Sequence, residues 1–146
     1  MGYLIDTGIW VEVERGALRP EAVAAVTADE PVYLSPVTIA ELKFGAEIAP
    51  NAQVRQKRLA AIQRLLKKPV LRMDADTALI FGELAAMLRR RGRGAAAHRT
   101  QDVWLASQAI QHGLRLLTRN EKDFKDIPGL DLVFWRESQP VTRRSG

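Results

Sequence analysis

Apolar positions along the chain alternate between short solid runs and longer stretches with helical spacing. Tyr3-Leu4-Ile5 is a solid run broken by Asp6-Thr7-Gly8, after which Ile9 to Glu14 can turn helically with Asp6 or Thr7 as its cap. Pro20 opens a helix to about Ala28 from the first helical position, which its fixed φ suits. Val32-Tyr33-Leu34 reads as a strand, and Ser35-Pro36 repeats the cap-plus-proline signal before a helix from Val37 to about Ile48. A helix from about Ala52 to Leu66 stops before Pro69, and Val70-Leu71 is a third, very short strand candidate. Asp74 caps a long helix to about Arg91 that ends at Gly92 or Gly94, and Thr100 caps another to about His112 that ends at Gly113. Leu114 to Thr118 and Leu130 to Phe134 complete the strands.

Strands that are apolar and too short to show a polar face, alternating with helices, predict an α/β unit with a mainly parallel sheet over residues 1–138. The remainder, 139–146, reads as a loose tail, because Val141 is its only residue with much to bury.

Composition narrows the chemistry. With no cysteine there is no disulfide framework, thiol nucleophile or zinc ribbon. The N-terminal apolar run meets Asp6 before any signal-peptide core can form, and no stretch approaches the ~20 apolar residues of a membrane span, so the expected compartment is the cytoplasm. The net charge is +5, from 22 Lys+Arg against 17 Asp+Glu, and it is unevenly placed. No acid lies between Glu47 and Asp74, a stretch holding Arg55, Lys57, Arg58, Arg64, Lys67, Lys68 and Arg72; none lies between Glu83 and Asp102, a stretch holding Arg89, Arg90, Arg91, Arg93 and Arg99. Such blocks suit a polyanion, or are the solvated faces of surface helices.

In open parallel sheets ligands bind beyond the carboxyl ends of the strands. Asp6 follows the first strand, Glu41 lies in the helix after the second, Asp102 falls in the first turn of the Thr100 helix, and Asn120 follows the Leu114 to Thr118 strand with Asp123 three residues on. Two of these acids break the apolar pattern of their helices. Glu41 shares a face with Val37, Phe44 and Ile48, a stripe expected to face inward, and Asp102 shares one with Leu105, Ala106 and Ala109. Moving a carboxylate toward a core costs several kcal/mol unless it is paired, hydrogen-bonded or bound to a cation. Acids converging on one hollow are commonly reconciled by a divalent cation, and an all-oxygen set suits Mg²⁺ or Mn²⁺. Singly, each residue also has a plain structural role open to it: Asp6 a helix cap, Asp102 a first-turn acid on the helix dipole, Asn120 a turn former, and Glu41 a side chain reaching solvent.

Leu4-Ile5-Asp6-Thr7, the segment Leu34-Ser35-Pro36-Val37-Thr38-Ile39-Ala40-Glu41-Leu42 with Gly45, Gln101-Asp102-Val103-Trp104-Leu105-Ala106, and Leu117-Thr118-Arg119-Asn120 with Asp123-Phe124 together resemble the PIN domain, and more narrowly its VapC group of toxin ribonucleases. The resemblance runs in order from about Tyr3 to Trp135. It implies a three-layer α/β/α sandwich and an acidic cluster that binds Mg²⁺ or Mn²⁺ for endonucleolytic cleavage of RNA. Asp6, Glu41 and Asp102 match the principal acids, Asn120 the fourth position, and Asp123 the acid of the adjoining Asn-x-x-Asp-Phe pattern. On this basis Asp6, Glu41, Asp102 and Asn120 are the expected catalytic residues, and Asp6, Asp102 and Glu41 the metal ligands. Arg119, Asp123 and Thr7 are expected against the substrate. The resemblance also implies a homodimer and a small cognate antitoxin in the active-site groove. The chain departs from it in having Gly8 where many relatives have Asn, and in the segment 95–100 ahead of the third acid. Two other readings stand beside it: a catalytically silent RNA-binding module of the same fold, and a metal-dependent phosphoesterase acting on DNA.

Overall fold

In the computed structural model, which describes residues 1–92, 100–135 and 142–145, the solid apolar runs become strands β1 (Tyr3–Ile5), β2 (Val32–Tyr33), β3 (Arg115–Thr118) and β4 (Asp131–Phe134). They lie side by side in the order β2-β1-β3-β4 and all run parallel, with Leu4 between Tyr33 and Leu116, and Leu116 beside Leu132. Parallel neighbours require crossovers. Helices α1 (Thr7–Glu14) and α2 (Pro20–Thr27) connect β1 to β2; α3 (Pro36–Glu47), α4 (Ala52–Leu65), α5 (Ala75–Arg90) and α6 (Thr100–His112) lie between β2 and β3; one-turn α7 (Glu121–Phe124) lies between β3 and β4.

Because successive strand residues point to opposite faces, each strand feeds two cores. Leu4, Leu116, Leu132 and Phe134 pack with Leu84 and Leu88 of α5, Val103, Leu105, Ala106 and Ala109 of α6, and Phe124 of α7. Tyr3, Ile5, Leu117 and Val133 pack with Ile9 and Trp10 of α1 and Val23 of α2, joined by Leu65 of α4. Helices thus cover both faces of the sheet, and the α/β/α sandwich with a mainly parallel sheet is the observed architecture.

The local signals act as their chemistry dictates. Ser35 accepts from the Val37 amide at 3.0 Å ahead of Pro36, and Asp74 forms a reciprocal capping box with Thr77 at the start of α5. The Thr77 amide, then the Gln111 side chain, hold the Asp74 carboxyl below its ordinary value of 3.8. Gly92 (φ +73) and Gly113 (φ +64) close α5 and α6 in the left-handed conformation that favours glycine; Gly94, the other expected stop, lies outside the described residues.

Two expectations are corrected, for Val70-Leu71 and for the tail, and one element, α7, lies outside what the sequence pattern predicts. Val70 and Leu71 do not form a strand: the Leu34 amide donates to Pro69 O and the Leu71 amide to Leu34 O, giving one isolated parallel bridge between Leu34 and Val70 beside Pro69, which has no amide to continue a ladder. The stretch after Asn120 is helical for one turn, too short for any periodicity to show, and is held by buried Phe124. In the expected tail, Thr142–Ser145 form β5, antiparallel to β4 at the sheet edge. There the β4 backbone supplies hydrogen-bond partners that need no apolar side chain.

Candidate active site

The carboxyl ends of β1, β2 and β3 open on one edge of the sheet, because the strands are parallel. Asp6 comes directly after β1, its amide bonded to Leu117 O at 2.9 Å. It occupies the cap position of α1, yet its side chain caps nothing. Instead Thr118, the last residue of β3, donates its hydroxyl to Asp6 Oδ2 at 2.9 Å, and the same hydroxyl accepts from the Asn120 amide at 3.0 Å. Both side chains are buried, Asp6 to 7% exposure and Thr118 to 0%. The carboxylate is therefore placed by a neighbouring strand, and the helix-cap explanation for Asp6 does not hold.

Glu41 corrects an expectation. Phe44 of α3 and Ile48 at its end are each 63% exposed, so the stripe leaves the core after Val37, which still packs against it. The inward face is set by buried Thr38 and Ala46, with Ile39 and Leu42 packed on the α1/α2 side of the core. Two apolar stripes compete on this helix, and the one that fits between the sheet and α4 wins. Glu41 is left half-buried, with its Oε1 accepting from Thr7 Oγ1 at 3.0 Å. Thr7 in turn shares a hydrogen bond with Thr38 Oγ1 at 2.8 Å. Thr7, expected against the substrate, is buried and ties the residue after Asp6 to the second acid.

Asp102 behaves as its pattern predicts. It is 1% exposed on the face shared with Leu105, Ala106 and Ala109, all fully buried. Helix α6 returns along the sheet and closes onto β3 at its far end, where the Leu114 amide bonds to Ala109 O at 2.9 Å. Asp102 to His112 spans about 15 Å at 1.5 Å per residue, and β3 is about 13 Å long, so Asp102 lies level with the strand ends that present Asp6 and Thr118. Asn120 is exposed, and its amide nitrogen Nδ2 donates to the Asp123 carboxylate. Arg119 is ion-paired to Glu12 of α1. Among the described residues, no three acids or histidines stand close enough to hold a metal ion between them, so the expected gathering of Asp6, Glu41 and Asp102 around one point is not present.

The donor chemistry nevertheless fits a hard divalent cation. Mg²⁺ is commonly held by one or two carboxylates with waters completing its shell, and two buried aspartates at one sheet edge, without a sulfur or imidazole donor beside them in the sequence, meet that need. Sequence reasoning missed the roles of Thr38 and Thr118. Their signal is position: Thr118 ends an apolar strand, and Thr38 stands one helical turn before Glu41. Thr38→Val, nearly isosteric, should lower the rate at saturation of the reaction expected at this site about tenfold with KM little changed, as loss of a group supporting a working carboxylate does. Thr38→Ser should retain activity. Equal rates in wild type and Thr38→Val in a steady-state cleavage assay would remove the hydroxyl chain from the account.

The PIN domain family model matches residues 3–130. Ribonuclease VapC1 of Rickettsia felis is 31% identical over 134 residues, covering 91% of this chain and 96% of the relative. The tRNA(fMet)-specific endonuclease VapC of Shigella flexneri is 33% identical over 103 residues, covering 70% and 74% of the two chains. Among solved structures, VapBC-1 from nontypeable Haemophilus influenzae superposes with a TM-score of 0.77 at 28% identity, covering 92% of this chain and 98% of that one. The chain belongs to the PIN-domain family and, within it, to the VapC ribonucleases.

Proposed function

We propose that the protein is a metal-dependent endoribonuclease, the toxin of a toxin-antitoxin pair, acting on RNA in the cytoplasm. The observation that carries this reading is the burial of Asp6 and Asp102 at the carboxyl edge of a parallel sheet, in a PIN-domain chain whose relatives are named ribonucleases. Asp6 and Asp102 would hold Mg²⁺ or Mn²⁺, with Glu41 the orienter of the attacking water. The cation supplies Lewis acidity at the phosphoryl oxygens and a water of lowered pKa.

The protein's own part is positional. Thr118 fixes Asp6 through Oδ2, and Thr7 fixes Glu41 through Oε1, which assigns Glu41 Oε2 to accept the proton of the attacking water. Asn120, neutral and exposed, is assigned to a water or a phosphate oxygen. Asp123 shapes it through their hydrogen bond. Arg119, restrained by Glu12, lies within one residue of this group and is assigned to the RNA backbone.

The match to a VapBC structure supports a small antitoxin partner, and exposed Phe44, Ile48 and Leu79 supply apolar surface for that partner or for a second copy of the chain. No described helix is long and apolar enough to cross a membrane. Purified protein offered single-stranded RNA, a tRNA pool and single-stranded DNA should cut RNA only. EDTA should stop cleavage and added Mg²⁺ or Mn²⁺ should restore it. RNA binding without metal-dependent cleavage would identify a silent binding module, and cleavage of DNA a different phosphoesterase.

A further inference from the structure

Helices α1, α3 and α4 enclose a cavity of about 400 Å³ with an apolar floor that includes Trp10, Leu42 and Ile62. Its α4 side carries Arg58 and Arg64, with Lys68 just beyond the helix end, all from the stretch that contains no acid, and Glu14 of α1 and the following Arg15 also line it. Arg58 is steadied by donating to Gly45 O at 2.8 Å, and the Lys68 ammonium lies 5.8 Å from the centre of the Trp10 ring. Both contacts fix a charge in place without neutralising it, and among the described residues no acid forms an ion pair with any of the three. Arg55, by contrast, is engaged by Glu47 at 2.6 Å. Glu41 forms part of the same cavity wall, so an occupant lies directly against the candidate active site.

We propose that this cavity receives one nucleobase of the RNA strand beside the scissile bond, with the flanking phosphates on Arg58, Arg64 and Lys68; the inference rests on the ribonuclease reading. A nucleotide joins a flat, largely apolar base to an anion, and the cavity joins an apolar floor to a cationic wall in the same way. Aromatic and apolar surfaces hold bases with little dependence on sequence, while cations on the rim contribute salt-sensitive affinity. The cavity therefore confers a preference by size at one position next to the cut rather than a sequence code.

The test fills the cavity without touching its charges. Gly45, on α3, faces open space: a side-chain carbon added there would meet nothing within 4 Å, and Ala61 lines the cavity from α4. Gly45→Leu and Ala61→Phe, each shown to be folded by its thermal melt, should bind a short randomised single-stranded RNA pool, in EDTA, about tenfold more weakly than wild type. Their cleavage products, sequenced after Mg²⁺ is added, should lose any base preference at one position beside the cut. Arg64→Ala with Lys68→Ala should reduce the slope of log affinity against log salt by about 1.4, the loss of two single-strand phosphate contacts. If both filled variants fold yet bind and cut as wild type does, the inference is overturned. Should wild type cut no RNA, the ribonuclease reading fails separately, and unchanged RNA binding by the filled variants still decides against the cavity.

Discussion

Asp102→Asn is expected to cleave RNA at least about a hundredfold more slowly than wild type while remaining folded in a thermal melt. Loss of a group that merely supports a metal ligand costs roughly 10–100-fold, so loss of a ligand's charge should reach or exceed the upper end. The substitution keeps the shape of the side chain and changes only its charge. Asp102 is 1% exposed among Val103, Leu105 and Ala106, and holding an ionised carboxylate there opposes folding through the water it gives up. The amide keeps the volume of the side chain at that packed position, so the change that silences the site should leave the protein folded. Cleavage rates and thermal melts measured on the same preparation check both halves. Equal cleavage would remove Asp102 from the site, and a large drop in melting temperature would show that its charge is structural.

The second large effect concerns stability. Phe124→Ala should cost about 3–5 kcal/mol, the usual range for removing a buried aromatic ring, which for a chain of this size is roughly a 6–20 °C fall in melting temperature. Phe124 is 1% exposed and packs with the α5/α6 core from a helix of only four residues. Such a helix has little stability of its own, because one turn barely offsets its nucleation cost. Its ring therefore anchors the Asn120 to Asp123 turn to the sheet, and RNA cleavage by the folded fraction should fall as well. A melting temperature within a degree or two of wild type would contradict the packing assigned to it.

Much of this molecule is legible in its sequence, and the lapses have physical causes. Ser35-Pro36, Asp74, Gly92 and Gly113 are local signals whose bonds form within a few residues, so helix limits follow from chemistry alone. Parallel strands announce themselves because both faces are buried. The helix of Glu41 misleads because it carries two apolar stripes, and only the packing of α4 and the sheet decides between Thr38-Leu42-Ala46 and Val37-Phe44-Ile48. Asp102 has no such ambiguity, since each of its neighbours at helical spacing is apolar. The hydroxyls that aim the acids lie beyond sequence reasoning for another reason: Thr118 meets Asp6 across 112 positions of chain, and Thr7 meets Glu41 across 34. No local pattern encodes such pairs. The basic stretch divides likewise, Arg55 to a surface ion pair and Arg58 with Lys68 to the cavity wall.

The proposed reaction requires that buried carboxylates at the carboxyl edge of the sheet hold a divalent cation. Electron paramagnetic resonance during a Mn²⁺ titration reads this directly, without any substrate. Wild type should take up Mn²⁺ saturably, and Asp6→Asn and Asp102→Asn should each weaken uptake at least about tenfold. Identical titration curves for the three proteins, each shown to be folded, would contradict the account.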